Sequence, residues 1–141
     1  MSKSDFEIEA RRMLKTTKLY CTESRLAILE VLARAGKPLS QDQIARRSGN
    51  KRFDKVTIYR TLESLLRVGL VHKAFVEKRA SHFELAHNCT ERQCHPHLTC
   101  SSCGDTHCLT QISVPMPTSP HQGFVIHRQQ VRLEGLCPSC A

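Results

Sequence analysis

Two cysteine pairs, Cys100-Ser101-Ser102-Cys103 and Cys137-Pro138-Ser139-Cys140, carry the strongest chemical signal in the chain. A two-residue spacer lets both thiolates of a pair face one ion from a tight turn. Gly104 after the first pair and Pro138 inside the second are the residues such turns use. Together the pairs supply four thiolates, the donor set of a closed tetrahedral structural zinc site. One pair alone would leave redox chemistry or a disulfide equally open. Two pairs favour Zn2+ here, because the polar, acidic start (residues 1–9) does not read as an export signal and thiols in a cytoplasmic protein stay reduced.

The elements that position these cysteines follow from charge and periodicity. The 141 residues allow one medium domain or two small ones. The net charge of +8 is unevenly placed: residues 1–79 hold 18 Lys/Arg against 9 Asp/Glu, and residues 80–141 hold 3 against 4. All eight histidines lie at or after His72. The chain therefore reads as a basic DNA-binding domain, 1–79, followed by a neutral domain rich in Cys and His, 80–141, that binds metal. No apolar run reaches the length of a membrane span, so membrane binding is not expected and a cytoplasmic location is.

Ser4-Asp5-Phe6-Glu7 reads as a capping box ahead of a first helix with Ala10, Met13 and Leu14 inward. Thr22 is placed to cap a second helix that buries Leu26, Leu29, Leu32 and Ala33 and stops at Gly36-Lys37-Pro38. Ser40-Gln41-Asp42-Gln43 opens a short third helix. The spacing of Ile58, Leu62, Leu65 and Leu66 predicts a fourth over 56–68, with Asp54 as its cap. Two short strands, 70–75 and 82–85, then make a hairpin. Helix, short helix, helix and hairpin amount to a winged helix-turn-helix. Its fourth helix would present Thr57, Tyr59 and Arg60 to the major groove, with Arg52 and Lys55 beside them. Beyond residue 85, strands are expected at 98–99, 106–111 and 124–136. Pro115, Pro117 and Pro120 exclude a regular helix between the last two. A module this small needs a staple, which the four-cysteine zinc would provide.

Taken together, these residues resemble the ferric-uptake-regulator (Fur) family of bacterial metal-dependent repressors, most closely its zinc-uptake-regulator (Zur) branch. The resemblance spans nearly the whole chain. It rests on Thr22-x-x-Arg25-x-x-Ile28-Leu29, Thr57-Ile58-Tyr59-Arg60-Thr61-Leu62 with Gly69-Leu70-Val71, and Phe83-Glu84-Leu85. It continues through His95-x-His97-Leu98-x-Cys100-x-x-Cys103-Gly104 and Gly135-x-Cys137-x-x-Cys140. It implies an α+β protein: an N-terminal winged helix followed by a small α/β zinc-stapled dimerisation domain. It further implies a homodimer on double-stranded DNA and a second, exchangeable divalent metal near the hinge.

His95 and His97, two apart, would face one way on a strand and share that second ion. The resemblance places His72 at a hinge ligand position, and Glu84 or Cys89 at the position that completes the set, with His82, His87 and Cys94 in reserve. Sulfur with imidazole favours zinc as the regulatory metal. A peroxide-sensing relative would carry a carboxylate where this chain has Cys108. Other departures from the family pattern are Pro38 at a histidine ligand position, and Pro96, Pro115 and Gln129 at an additional site, which is therefore expected to be absent. Tyr20 stands at the family's minor-groove Arg or Lys, which leaves Lys15 or Lys18 to reach DNA.

Three other functions compete. A zinc deaminase would use His82-x-Glu84 with Cys100 and Cys103, but Thr99 stands where that motif has Pro and the second cysteine pair would be idle. A thiol oxidoreductase would need a Cys pair opening a helix after a strand. A constitutive DNA-binding protein with only structural zinc would need no exchangeable metal. The expected function is therefore not enzymatic and involves no small-molecule substrate: a metal-dependent repressor, zinc-responsive first and iron- or peroxide-responsive as the alternative, on an inverted-repeat operator.

Overall fold

The computed structural model describes residues 2–49, 51–86, 95–118 and 121–141. The chain divides into two compact units, Met1–His87 and Asn88–Ala141. This moves the boundary past the expected 79/80, because the strand that follows residue 79 is hydrogen-bonded into the first unit's sheet.

The first unit runs α1 (Lys3–Lys15), α2 (Glu23–Ala35), β1 (Leu39–Ser40), α3 (Gln41–Arg47), α4 (Lys55–Arg67), β2 (Val71–Glu77) and β3 (Ala80–Leu85). Each helix start is set by a side chain that satisfies an otherwise orphaned backbone N–H. Ser2 caps α1 with Asp5 reaching back to the Ser2 N–H, so the helix begins before the expected Ser4 box. Thr22 caps α2, Ser40 and Gln43 form a capping box on α3, and Asp54 caps α4. Gly36 closes α2 in the left-handed region at φ 61°, which a Cβ would oppose.

Apolar stripes of the helices meet one face of the antiparallel sheet, ordered β1-β3-β2. Ile28 and Leu29 of α2, Ile44 of α3, and Ile58 and Leu65 of α4 are fully buried there, with Leu39 of β1 beneath them. Each such side chain contributes roughly 1.5–3 kcal/mol of burial. The hairpin β2–β3 turns at Lys78 and Arg79, both at positive φ (48° and 66°), the backbone that a two-residue hairpin turn demands. The result is the expected winged helix.

The second unit contains β4 (His97–Cys100), β5 (Thr106–Cys108) and β6 (Arg132–Gly135). The sheet order is β5-β4-β6, with β4–β5 antiparallel and β4–β6 parallel. The strands are shorter than the expected 106–111 and 124–136. β6 pairs only along the four residues of β4, which sets its length, and after Leu109 the chain turns, with the Ile112 N–H bonded to the Leu109 carbonyl. Residues 112–118 form no helix. Among the described residues of this unit the buried ones are Pro96, His97, Thr99, Cys100 and Thr106, mostly small or polar, a core too slight to hold the unit by apolar burial alone.

Candidate metal centres and DNA-binding face

β6 runs parallel to β4 so that Cys100 is the register partner of Gly135, two residues before Cys137. This pairing brings the two distant cysteine pairs together. The first pair turns tightly: the Cys100 N–H donates to the Asp105 carbonyl and Gly104, at φ 79°, returns its N–H to the Cys100 carbonyl. Ser101 anchors the turn to β6 through its N–H and hydroxyl, both donated to the Gly135 carbonyl. The second pair is closed by the Cys140 and Ala141 N–H groups on the Cys137 carbonyl.

All four sulfurs lie within 4.8 Å of one another, and Cys103 and Cys137 Sγ are 3.8 Å apart. A regular tetrahedron with Zn–S bonds of about 2.3 Å has S···S edges of about 3.8 Å. The donor set and its spacing therefore fit a tetrahedral dication. Backbone N–H groups of Cys103 and Cys137 aim at the Cys100 sulfur at 3.5 and 3.4 Å. They hold its pKa down to about 6, whereas the hydrogen bond with Cys137 pushes Cys140 up to about 11. Four crowded thiols do not all ionise unaided; a dication supplies the charge that lets them.

A second donor set lies in the same unit. His97 of β4 and Cys108 of β5 are cross-strand partners, and the ring of His95 sits 4.9 Å from that of His97. The donor atoms of His95, His97 and Cys108 lie within 4.8 Å of one another, with His97 buried and the other two half-buried. His95 and His97 come together as expected. Cys108 was not among the expected ligands. Its signal was its place just after the first cysteine pair, where the resemblance puts a carboxylate ligand in a peroxide-sensing relative.

In the first unit, His72 and Glu84 are register partners on β2 and β3, and His72 Nε2 meets Glu84 Oε1 at 2.7 Å with both side chains buried. His82 stacks on Phe75 within the hairpin, ring centroids 4.7 Å apart, and bonds the Ala80 carbonyl, so its ring serves the wing. Cys89, His87 and Cys94 lie outside the described residues.

The DNA-binding candidates gather around α4. Ile58, Thr61, Leu62 and Leu65 bury one side of it, which turns Lys55, Tyr59 and Arg60 outward, with Thr57 half-buried at the same end. Arg52 stacks over Phe53 and reaches Glu23 at 2.6 Å, so it holds α4's approach to α2 as well as presenting charge. Lys15, the last residue of α1, and Lys18, within the α1–α2 link, are exposed. No helix among the described residues is long and apolar enough to cross a membrane.

A winged-helix unit with a basic outer helix, joined to a unit built around two sulfur- and imidazole-bearing donor sets, defines a metal-binding transcriptional regulator rather than an enzyme. Comparison with known proteins gives the same class. The Ferric uptake regulator family profile matches residues 16–133. The "Ferric uptake regulation protein" of Synechococcus elongatus is 30% identical over 126 residues, covering 84% of each chain. The "Transcriptional regulator FurA" of Mycobacterium bovis is 29% identical over 135 residues, covering 91% of this chain and 87% of its own. Among solved structures, "Zinc Uptake Regulator Complexed With Zinc AND DNA" superposes with a TM-score of 0.66 at 20% identity, covering 99% of this chain and 95% of the other. The chain belongs to the ferric uptake regulator family.

Proposed function

We infer that this regulator is a metal-dependent repressor that binds an inverted-repeat operator as a homodimer, and that zinc is its signal. The observation that carries this reading is the presence of two donor sets of different build. One is all thiolate and closed, suited to permanent structural Zn2+. The other mixes imidazole and sulfur, suited to an ion that exchanges. Three donors in the second set leave a fourth position of a tetrahedron, for which Glu84, braced by His72, and Cys89 are the candidates. A bound dication would neutralise these donors and tie them together. Metal loading would thereby favour the DNA-binding form of the dimer. Two α4 helices would then match successive major grooves, and DNA binding would no longer carry the cost of ordering the domains. The exposed Phe124, Val125, Leu133 and Leu136 of the second unit are apolar surface that a second copy would cover.

The iron-responsive alternative is favoured by the names of the curated relatives, and sulfur in the donor set weighs against it, since Fe2+ sites lean on oxygen and nitrogen. The deciding experiment measures metal per chain and operator binding, before and after mild chelation of reduced protein. One resistant Zn2+ and one removable ion, whose loss abolishes DNA binding and whose return restores it, is the expected result. His95→Ala/His97→Ala should lose the removable ion and the response while keeping the resistant zinc. A single resistant zinc with chelator-independent DNA binding would replace the sensor with a constitutive DNA-binding protein.

A further inference from the structure

We propose that Cys108 is a thiolate ligand of the regulatory ion, and that its sulfur selects zinc-type, thiophilic cations over manganese(II) and iron(II) at this site. The inference rests on the sensor reading above and names the atom that sets its signal.

The argument is geometric first. Antiparallel pairing of β4 and β5 opposes His97 to Cys108, Leu98 to His107 and Thr99 to Thr106. Side chains opposed across two strands project from the same face, so Cys108 stands beside His97 while His107 projects from the other face, where it meets Asp105 at 3.1 Å. The register is held from both ends. The Leu109 N–H bonds the Pro96 carbonyl at 2.9 Å, and the Thr99 and Thr106 hydroxyls meet at 3.2 Å in the buried interior. Cys108 is therefore kept next to His97 by the sheet rather than by a mobile loop. Two imidazoles and one sulfur within 4.8 Å form three corners of a tetrahedral site.

The chemistry then decides selectivity. A thiolate is a soft donor, and an N2S set prefers Zn2+ or Co2+ to the harder Mn2+, whereas an oxygen donor at the same position would narrow that preference. Ligation converts the Cys108 S–H to a metal–sulfur bond and releases its proton to solvent, so binding by this route weakens as the solution is acidified.

Cobalt(II) titration of anaerobic protein that retains its structural zinc tests the proposal, because each thiolate–cobalt bond adds ultraviolet charge-transfer absorption. The wild-type chain should take up one Co2+ with a tetrahedral visible spectrum. Its charge-transfer band should have about a quarter of the intensity expected when cobalt fills a four-cysteine site. Cys108→Ser should lose that band, keep the structural zinc and an unchanged circular dichroism spectrum, and bind zinc at least about tenfold more weakly. Cys108→Asp should bind the ion without the band and show a raised Mn2+-to-Zn2+ affinity ratio. A cobalt bound with no charge-transfer band, or a band that survives Cys108→Ser and disappears in Cys89→Ser, would overturn the assignment while leaving the sensor intact. No bound cobalt at all would remove the sensor reading itself, and this inference with it.

Discussion

His72 and Glu84 face each other across β2 and β3 with 2.7 Å between imidazole and carboxylate, both less than a tenth exposed. A buried polar pair of this kind is expensive to break, because the remaining partner keeps its desolvation cost and loses its hydrogen bond. Glu84→Ala should therefore destabilise the first unit by about 1–3 kcal/mol in a denaturant titration followed by far-ultraviolet circular dichroism. Glu84→Gln should retain most of the stability and lose metal affinity if the carboxylate also serves the ion. A variant whose stability and metal affinity both matched wild type would deny Glu84 either role. At the same scale, Cys100→Ser removes the sulfur on which two backbone N–H groups converge. Loss of the chelator-resistant zinc and of ordered amide signals from the second unit, with the winged helix intact, is the expected outcome by NMR.

The helices and hairpin of the winged helix are local devices, and their contributions are separable. Ser40 and Gln43 satisfy each other's backbone groups at the start of α3, and Ser40→Ala should cost about 1 kcal/mol in thermal or denaturant unfolding. Arg79 at the hairpin turn has the opposite sense. A non-glycine residue at φ 66° carries a penalty on the order of 1 kcal/mol, so Arg79→Gly should leave the domain equally or more stable. Clear destabilisation would mean that the Arg79 side chain holds the turn. At α4, hydrogen bonds from the Thr57 hydroxyl and N–H hold the Asp54 carboxyl below its ordinary pKa. A lowered folded-state pKa means stability that is present above the ordinary carboxylate range and is lost as pH falls through the lowered value. The start of α4 should accordingly loosen only in acid below about pH 4, visible as faster amide exchange at Thr57, and Asp54→Asn should flatten that dependence.

At the scale of the molecule, the separation of charge matters more than any one contact. The positive half carries α4 and its flanking lysines, and phosphate neutralisation there makes affinity fall linearly with the logarithm of salt concentration, by roughly 0.9 per phosphate neutralised. Lys55→Ala should weaken binding to operator and unrelated DNA alike and lower the salt slope by about 1. Arg52→Ala should change that slope less, because its guanidinium is already engaged by Glu23. Tyr59→Ala, at an exposed outward position, should instead reduce discrimination between operator and unrelated DNA. Equal losses on both DNAs would place Tyr59 outside base recognition.

Most of the winged helix was legible in the sequence, because it is built from local signals: capping residues, apolar spacing of 3.6 and a glycine stop at Gly36 act within a few residues of themselves. The four-cysteine centre was legible for a related reason. The Cys-x-x-Cys turn prepares each half of the site locally, and four thiolates have few other uses. Spacing likewise sufficed to suggest that His95 and His97 share an ion, although His95 lies just ahead of β4 rather than on it. Three features needed the tertiary structure: the end of the first unit beyond β3, the buried His72–Glu84 pair, and Cys108 beside His97. Each depends on which residues lie opposite one another in a sheet. A shift of one residue in that register would turn Cys108 away from His97 and put His107 in its place. The choice is made by hydrogen bonds and packing between segments distant along the chain, and no local pattern of residues encodes it.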